Sequence, residues 1–209
     1  FDDRAALAPL TVELNRDVGS AGLYFDNNIN ALAFNVAQGQ LMGLTAELLG
    51  AHRQKNAPGT PVFPVATPFR WDQVSASYNG QAVLDIRQLT LRFANNLELS
   101  YTLGLSKSAY RIKRTRPQEV TAAGVMTFAT HSYWDAFLNQ NEARLFFNFA
   151  GNEAPNRLTW DMGAFRFTKF APLVNNAGLV EAAFEGRGTY STTSAEALRV
   201  TLVNTQAWY

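Results

Sequence analysis

The sequence predicts a mainly β fold: an antiparallel β-sandwich or partial barrel with one short packed α-helix and long projecting loops. Three observations support this. Apolar and polar residues alternate with period two in roughly ten segments, which is typical of half-buried strands. One segment, 130–140, has helical spacing instead. Strands and helices do not alternate along the chain, which argues against a parallel α/β fold. We expect one domain over residues 1–209.

The first part of the chain is predicted to form short strands and a hairpin. Residues 10–14 alternate, and Asp26-Asn27-Asn28 is expected to close a second short strand or a loop. Residues 29–37 and 41–49 predict two strands joined by a tight turn at Gln38-Gly39-Gln40. A helix through the second of these segments is disfavoured, because Gly43 would cost about 1 kcal/mol in its middle.

Residues 51–68 contain four prolines and no periodicity, so we expect a long loop there. A strand that starts at Phe69-Arg70-Trp71 and runs to Tyr78 follows. The dipeptide Asn79-Gly80 after it is the strongest two-residue hairpin signal in the chain.

The stretch 82–104, AVLDIRQLTLRFANNLELSYTLG, predicts one long strand, a polar turn at Asn95-Asn96 and a second strand. The apolar parity flips between Ile86 and Leu89, which predicts a bulge at Arg87–Gln88. A strand of this length would leave its backbone edges unpaired unless a neighbour completes them. We therefore expect an assembly in which the edges are closed.

The remaining chain is predicted to hold a helix between strands. Ser132 and Asp135 have the spacing of a capping box, and Trp134, Phe137 and Leu138 form an apolar stripe expected to face the core. A bulge is expected at Gly163, where the parity of the apolar residues changes. The strands are expected over 118–129, 145–149, 157–170, 179–190 and 198–203.

Composition argues against several classes of protein and of site. The formal net charge is +1, so no overall field favours nucleic acid or an anionic membrane. Without cysteine the chain has no disulfide, thiolate metal site or thiol nucleophile. No apolar run approaches the ~18 residues of a membrane span. The chain begins with Phe1 rather than Met, so we expect further N-terminal sequence before it.

No pattern of catalytic or metal-binding residues emerges. The two histidines, His52 and His131, are far apart in sequence and lack companion ligands at metal-site spacing. A pair of hydrolase carboxylates remains an alternative, but caps and solvated strand faces are the favoured interpretation of these residues. Those carboxylates are Glu98, Asp135, Glu142 and Asp161. We expect no enzyme activity, no metal and no cofactor.

A second alternative is a β-sandwich module that binds carbohydrate or another ligand. Trp71, Tyr78 and Trp160 would then have to form an exposed aromatic platform. The basic cluster at 111–116 is a further candidate site. It lacks interleaved aromatic residues for base stacking, so a protein contact is favoured over a nucleic-acid contact, with a solvated loop as the default.

Several segments together resemble the tail tube (major tail) proteins of long-tailed bacteriophages. The run IRQLTLRFANNLELSYTLG is similar to a strand in that family that ends in an Asn/Asp-Asn-x-Leu-Glu turn before a long loop. INALAFNVAQGQLMGLTAELLG resembles the family's strand–Gly–strand hairpin, and SYWDAFLNQNEA its Tyr-x-Ala-Phe-Leu helix. The final pair of strands, at 179–203, completes a similarity over most of residues 10–204.

The resemblance implies a structural virion protein that is not an enzyme. Such subunits form six-membered rings that stack into a tube through which genome DNA passes, with tape measure and terminator proteins as partners. It implies assembly in the host cytoplasm, a place in the virion tail, and no membrane segment. The family's tube lumen is usually acidic, so the basic cluster at 111–116 is expected at an interface.

The resemblance also implies roles for particular residues. Long loops at 51–68 and 104–117 are expected to bridge subunits or rings, whereas strands over 82–99 and 118–130 are expected to form the barrel wall. The candidate contact residues are Arg111, Lys113, Arg114, Arg116, His52, Arg53 and Lys55. The candidate barrel-wall residues are Leu84, Ile86, Leu89, Leu91, Phe93, Val120, Met126 and Phe128.

Overall fold

A computed structural model describes residues 10–14, 21–50, 52–56, 67–83, 85–101, 103, 111–128, 131–151, 155–174 and 180–204. These residues contain fourteen strands, one α-helix and a 3-10 turn at Trp71–Gln73. The strands are β1 (Leu10–Leu14), β2 (Ala21–Ala37), β3 (Gly43–Leu49), β4 (His52–Asn56), β5 (Val74–Tyr78), β6 (Gln81–Val83), β7 (Ile86–Ala94), β8 (Leu97–Ser100), β9 (Arg111–Arg114), β10 (Glu119–Thr127), β11 (Ala143–Ala150), β12 (Arg157–Val174), β13 (Val180–Thr189) and β14 (Arg199–Val203), and the helix is α1 (Ser132–Leu138). The predicted mainly β, antiparallel class with one short helix is confirmed.

Contacts divide the chain into two compact units. The small unit comprises residues 1–32, 45–65 and 94–118, and the large unit comprises residues 33–44, 66–93 and 119–209. Three strands, β2, β3 and β7, contribute residues to both units.

In the small unit, β2 is the central strand. It pairs antiparallel with β1 and with β4, and the register with β1 shifts between Leu10 and Val12. Asp26 has a left-handed φ of 52°, and the buried Asn27 side chain donates hydrogen bonds to the carbonyl oxygens of Leu10 (3.0 Å) and Tyr24 (2.6 Å). The polar residues 26–28 therefore form an irregularity inside one continuous strand, and the predicted end of a short strand there is wrong.

The large unit is built on a sheet with the strand order β7-β10-β13-β12-β11-β5-β6. The end of β2 pairs with β7, and β14 pairs with β12. Alternate residues of β7, β10, β11, β12 and β13 are buried on one face, as the period-two patterns predicted. The largest fully buried side chains of this core are Trp160, Phe147, Phe149, Phe165, Leu91 and Met162.

Two tight hairpins are confirmed. Asn79 and Gly80 both have positive φ, 50° and 77°, which is the backbone of a type I′ turn, and β5 pairs with β6 across it. Gly39 has φ 79° between β2 and β3, which pair with each other. Residues 43–49 thus form a strand rather than the disfavoured helix.

The stretch after the Asn79-Gly80 hairpin contains a break that the sequence did not indicate. The chain pairs with β5 only as far as Val83, and from Ile86 it forms β7 beside β10. The prediction of one long strand is therefore wrong, because the chain changes partners at this point. The predicted parity change is present: Arg87 and Gln88 are both exposed between the half-buried Ile86 and the buried Leu89.

Helix α1 packs on the buried side of the large unit. The Trp134 ring lies 6.1 Å from that of Phe170. The N-cap residue of helix α1 is His131, which makes no side-chain capping hydrogen bond. The predicted capping box that begins at Ser132 is therefore wrong. Leu138 is 58% exposed, so it lies outside the core, contrary to the prediction. No helix in the described ranges is long and apolar enough to cross a membrane.

The long strand β12 contains the predicted bulge. Leu145 pairs with Met162 whereas Ala143 pairs with Phe165, so one extra residue of β12 lies beside Gly163. The ring of Phe165 then lies over β13 at Gly186, where a Cβ atom would be only 2.0 Å from Cζ of that ring. Absence of a side chain at Gly186 makes this close packing possible.

Candidate assembly surfaces

Strands β8 and β9 form a two-stranded sheet of their own in the small unit. Leu97 pairs with Arg114 and Leu99 with Ile112, while Glu98 pairs with Lys113. Since directly opposed residues share a face, Leu99 and Ile112 lie on one side of this hairpin and the Glu98–Lys113 pair lies on the other. The prediction that residues 104–117 form one loop is thus wrong for Arg111–Arg114; residues 104–110 lie outside the described part.

A buried asparagine fastens the base of the β8–β9 hairpin to β2. The Asn95 side chain is 2% exposed. Its Nδ2 donates to the carbonyl oxygen of Ile29 (2.8 Å), and its Oδ1 accepts a hydrogen bond from Nε2 of Gln118 (2.8 Å). Its backbone amide donates to the carbonyl oxygen of Asn30 (2.7 Å). Asn95 therefore connects β2, the start of the hairpin and the segment after β9.

The neighbouring Asn96 closes the same base. It adopts φ 53°, and its Nδ2 donates to the carbonyl oxygen of Pro117 (2.7 Å). The amide of Thr115 donates to the carbonyl oxygen of Asn96 (3.0 Å). The Asn-Asn pair was predicted as a turn; its amides also position the whole hairpin.

The hairpin presents basic and apolar side chains. Lys113 and Arg116 are exposed and Arg114 is half-buried, and none of the three has an ion-pair partner among the described residues. The side chain of Arg111 is outside the described part. Just beyond β8, Tyr101 is 63% exposed and Leu103 is fully exposed. Cationic and large apolar groups are thus available on one element.

The second predicted set of contact residues lies on β4. His52–Asn56 pairs with β2, so this part of the predicted 51–68 loop is a strand. Residues 57–66 lie outside the described part. His52 is 3.9 Å from the carboxylate of Asp26, and the Arg53 guanidinium lies over the Tyr24 ring at 5.6 Å from its centroid. Lys55 is exposed. No described contact joins this set to the basic residues of the hairpin.

Strand β14 is a further surface that sequence reasoning did not single out. It pairs with β12 through Arg199–Val203, and no other described strand pairs with it. Val200 and Leu202 are 44% and 59% exposed. Its alternating apolar residues indicated a strand but not that the strand lies at an edge. An unpaired edge with exposed apolar side chains is a template for pairing with another chain.

Comparison with protein families shows what kind of chain carries these surfaces. The family model described as phage tail tube protein matches residues 9–188, most of the chain. The chain belongs to the phage tail tube protein family. A search of curated proteins finds no match.

The matched tail tube segment runs from β1 to residue 188, within β13, and leaves β14 outside it. Membership makes the chain a structural protein of a phage tail, located in the virion and assembling with other tail proteins. The resemblance inferred from the sequence is therefore confirmed.

The candidate wall strands of this tail tube protein, β7 and β10, are neighbours in the sheet. Four of the eight predicted wall residues point into the protein's own core: Leu89, Leu91, Val120 and Met126 are each at most 3% exposed. Ile86, Phe93 and Phe128 are half-buried, and Leu84 lies outside the described residues. The four buried side chains pack inside the subunit and are not free to contact another molecule.

Two tyrosines in this core have perturbed acidity. Burial and the neighbouring Tyr133 raise the pKa of Tyr78, and burial and Asp85 raise the pKa of Tyr133. The rings lie 5.9 Å apart, and the Tyr78 hydroxyl is buried without a hydrogen-bond partner. Both phenols stay neutral near pH 7, and their rings pack against each other.

Two residues that the alternative functions would use, Trp160 and Asp161, are engaged within the protein. Trp160 is 1% exposed and packs edge-on against Phe34 at 5.4 Å, so it cannot join Trp71 in an exposed ligand platform. Asp161 binds both Nε and a terminal amino group of Arg144 at 2.8 and 2.6 Å, which raises the pKa of Arg144. Within the described ranges, no three potential ligands gather at a metal site.

Proposed function

We propose that this tail tube protein assembles into stacked hexameric rings that form the tube through which the phage delivers its DNA. The chain acts as one domain, without catalysis. Assembly takes place in the host cytoplasm, with tape measure and terminator proteins as partners.

The unpaired edge of β14 is the observation that carries the proposal. Exposed Val200 and Leu202 stand beside a row of backbone groups that β12 satisfies on one side only. An edge strand of this kind is stabilised when another chain adds a strand to it. Head-to-tail contacts between identical subunits close into a ring when the rotation between them permits.

The β8–β9 hairpin supports contacts beyond the ring. Its cations and the exposed Tyr101 and Leu103 can bind an acidic and apolar surface on the next ring or on a terminator protein. Asn95 fixes the direction of the hairpin, so the contact is pre-organised. The basic residues of β4 are proposed to contribute in the same way, and β7 and β10 to form the barrel wall.

A charge placed on the β14 edge tests the proposal. We expect Leu202→Lys to weaken ring formation strongly, because the lysine would have to be desolvated in the new contact. Leu138→Lys is the matched control, because Leu138 lies on the helix and has almost the same exposure, 58% against 59%. Sedimentation velocity measures the ring fraction of each. Equal loss in both variants, or none in Leu202→Lys, would remove β14 as the assembly edge.

A further inference from the structure

A cavity of about 400 Å³ opens in the large unit, beside the point where the chain passes from β6 to β7. Core side chains form its floor: Val36, Val83, Leu89 and Phe147, each at most 7% exposed. Pockets of about 300–1,000 Å³ accept ligands of drug size, so the cavity has room for side chains of another molecule. It is here called the seam cavity.

Large apolar side chains remain exposed at the rim of the seam cavity. Trp71 lines the cavity and is 42% exposed. The Trp71 amide donates to the carbonyl oxygen of Gln40 at 3.2 Å, which places Leu41, 58% exposed, close to Trp71. Exposed apolar groups around a concavity mark a site where another molecule binds. The single subunit therefore leaves this site incomplete.

The backbone of β6 offers free hydrogen-bonding groups at the same place. Tyr78 and Gln81 flank the two-residue turn as a hydrogen-bonded pair, so the next pair, Ser77 and Ala82, is not hydrogen-bonded. The N–H and C=O of Ala82 therefore point away from β5, and no other described strand pairs with β6. Because Ala82 lines the cavity, an extended segment that enters can hydrogen-bond to it.

The uncompensated charge of the seam cavity is negative. Asp85 lines the cavity, is exposed and has no ion-pair partner among the described residues. Arg87 is the basic residue of the lining, and Glu181 already binds its guanidinium at 2.9 Å. A partner with apolar anchors and free positive charge would complement both the floor and Asp85.

The β8–β9 hairpin has these properties. Just beyond β8, Tyr101 is 63% exposed and Leu103 is fully exposed. In the described part of the hairpin, Glu98 is the one acidic residue, against the basic residues Arg111, Lys113, Arg114 and Arg116. The exposed apolar pair of β14 matches less well, because Arg199 beside it is already paired with Glu196.

The sheet face of β12 and β13 that points away from the core is a poorer partner for the hairpin. Arg166 and Arg187 oppose each other there, and Lys169 pairs with Glu185 on the same two strands. Positive charge of the hairpin would meet positive charge on this face, whereas the seam cavity presents an apolar floor and a free carboxylate.

We propose that Tyr101 and Leu103 of one copy of the chain insert into the seam cavity of a second copy, with the cations of the hairpin near Asp85. The inference rests on the proposed function, since it names the contact between successive rings. A buried aromatic side chain covers about 150–250 Å², so Tyr101 is the main anchor. Its hydroxyl can donate to the Asp85 carboxylate or to the carbonyl oxygen of Ala82. Asn95 fixes the hairpin before the contact forms, which lowers the entropic cost of binding.

Cysteine cross-linking tests the contact, because the chain contains no cysteine of its own. Full-length Tyr101→Cys is mixed with Ala82→Cys, and one of the two carries a tag that shifts its mobility. After oxidation with copper phenanthroline, non-reducing electrophoresis resolves the mixed dimer. Tyr190→Cys is the matched control, since Tyr190 has nearly the same exposure as Tyr101, 65% against 63%. We expect a several-fold higher yield of mixed dimer with Tyr101→Cys, and equal yields would overturn the inference.

Two other occupants of the seam cavity would also overturn it. An internal disulfide in the dilute double variant Tyr101→Cys/Ala82→Cys, found by peptide mass mapping, would place the hairpin in the cavity of its own chain. A small molecule retained by the purified wild type in native mass spectrometry, and lost in Ala82→Trp, would assign the cavity to a ligand.

The stacking of rings gives a second readout. Tyr101→Ala should raise the protein concentration at which rings stack by about tenfold, as expected for loss of a buried aromatic anchor, and Tyr190→Ala should leave it unchanged. Asp85→Lys should weaken stacking, and adding Lys113→Glu/Arg116→Glu to it should restore stacking by reversing both charges. Sedimentation velocity measures stacks and single rings separately. Equal effects of the two tyrosine changes, or no rescue by charge reversal, would contradict the insertion.

The two proposals fail separately. If the wild type forms stacked tubes but both cysteine pairs give equal yields, the contact is wrong and the proposed function stands. If no rings form but Tyr101→Cys still couples preferentially with Ala82→Cys, the ring assembly is wrong and the contact between copies stands. Circular dichroism of each variant shows that it is folded.

Discussion

Replacing Asn95 by alanine should loosen the β8–β9 hairpin selectively. The side chain is buried and makes two hydrogen bonds, to the carbonyl oxygen of Ile29 and from the amide of Gln118. A net value of about 1 kcal/mol for each bond gives a loss of about 2 kcal/mol. The backbone bond from Asn95 to Asn30 is retained.

Hydrogen–deuterium exchange with peptide resolution is the appropriate assay, because it reports on the hairpin separately from the large unit. We expect faster exchange in peptides covering 97–100 and 111–114, and unchanged exchange in β12 and β13. Asn28→Ala is the control, since the Asn28 side chain makes one exposed hydrogen bond of 3.4 Å. If Asn95→Ala exchanges like Asn28→Ala in the hairpin, Asn95 does not fasten this element and the reasoning is refuted.

Two further predictions concern the core of the large unit. Gly186→Ala should lower the free energy of unfolding by about 1–3 kcal/mol, because the new Cβ would meet the Phe165 ring. Gly43→Ala is the control: its Cβ would have no neighbour closer than 3.9 Å, so the free energy of urea unfolding should change by less than about 0.5 kcal/mol. Equal effects of the two changes would contradict the close packing of Phe165 on Gly186. Tyr78→Phe should stabilise by up to about 1 kcal/mol, because it removes a buried hydroxyl without a partner. The pKa of Tyr78 in the folded state is raised above its ordinary 10.0, so the stability of the wild type should fall as the pH rises above 10. The stability of Tyr78→Phe should fall less over the same range. Identical pH profiles of the two proteins in urea unfolding would refute this expectation.

The sequence predicted those elements whose signals are local. Asn79-Gly80 specifies its own turn through two residues that tolerate positive φ, and the bulge at Gly163 follows from a parity change that only an extra residue can produce. The alternating apolar residues of β10 and β11 identified their buried faces correctly.

The errors occurred where tertiary partners decide the structure. The break between β6 and β7 exists because the chain changes pairing partners, and periodicity carries no signal for that. Strands β4 and β9 are polar and basic, so their pairing with β2 and β8 could not be read from an apolar pattern. Leu138 fits the helical stripe by spacing, but the short helix ends there and leaves it exposed.

The candidate sites, too, were predicted where their signal is local and missed where tertiary contacts form them. The local concentration of charge identified the basic residues of the hairpin, but the buried amide of Asn95 that positions them was predicted only as part of a turn. The opposition of Arg166 and Arg187 could not be found from sequence, because the two residues are far apart in the chain and become partners only through strand register.

Electron microscopy of the purified full-length chain tests the central claim most directly. The account predicts ring-shaped particles with six-fold symmetry that stack into tubes as the protein concentration rises, alone or with tape measure and terminator proteins. A chain that stays monomeric at every concentration, with and without those partners, would contradict it.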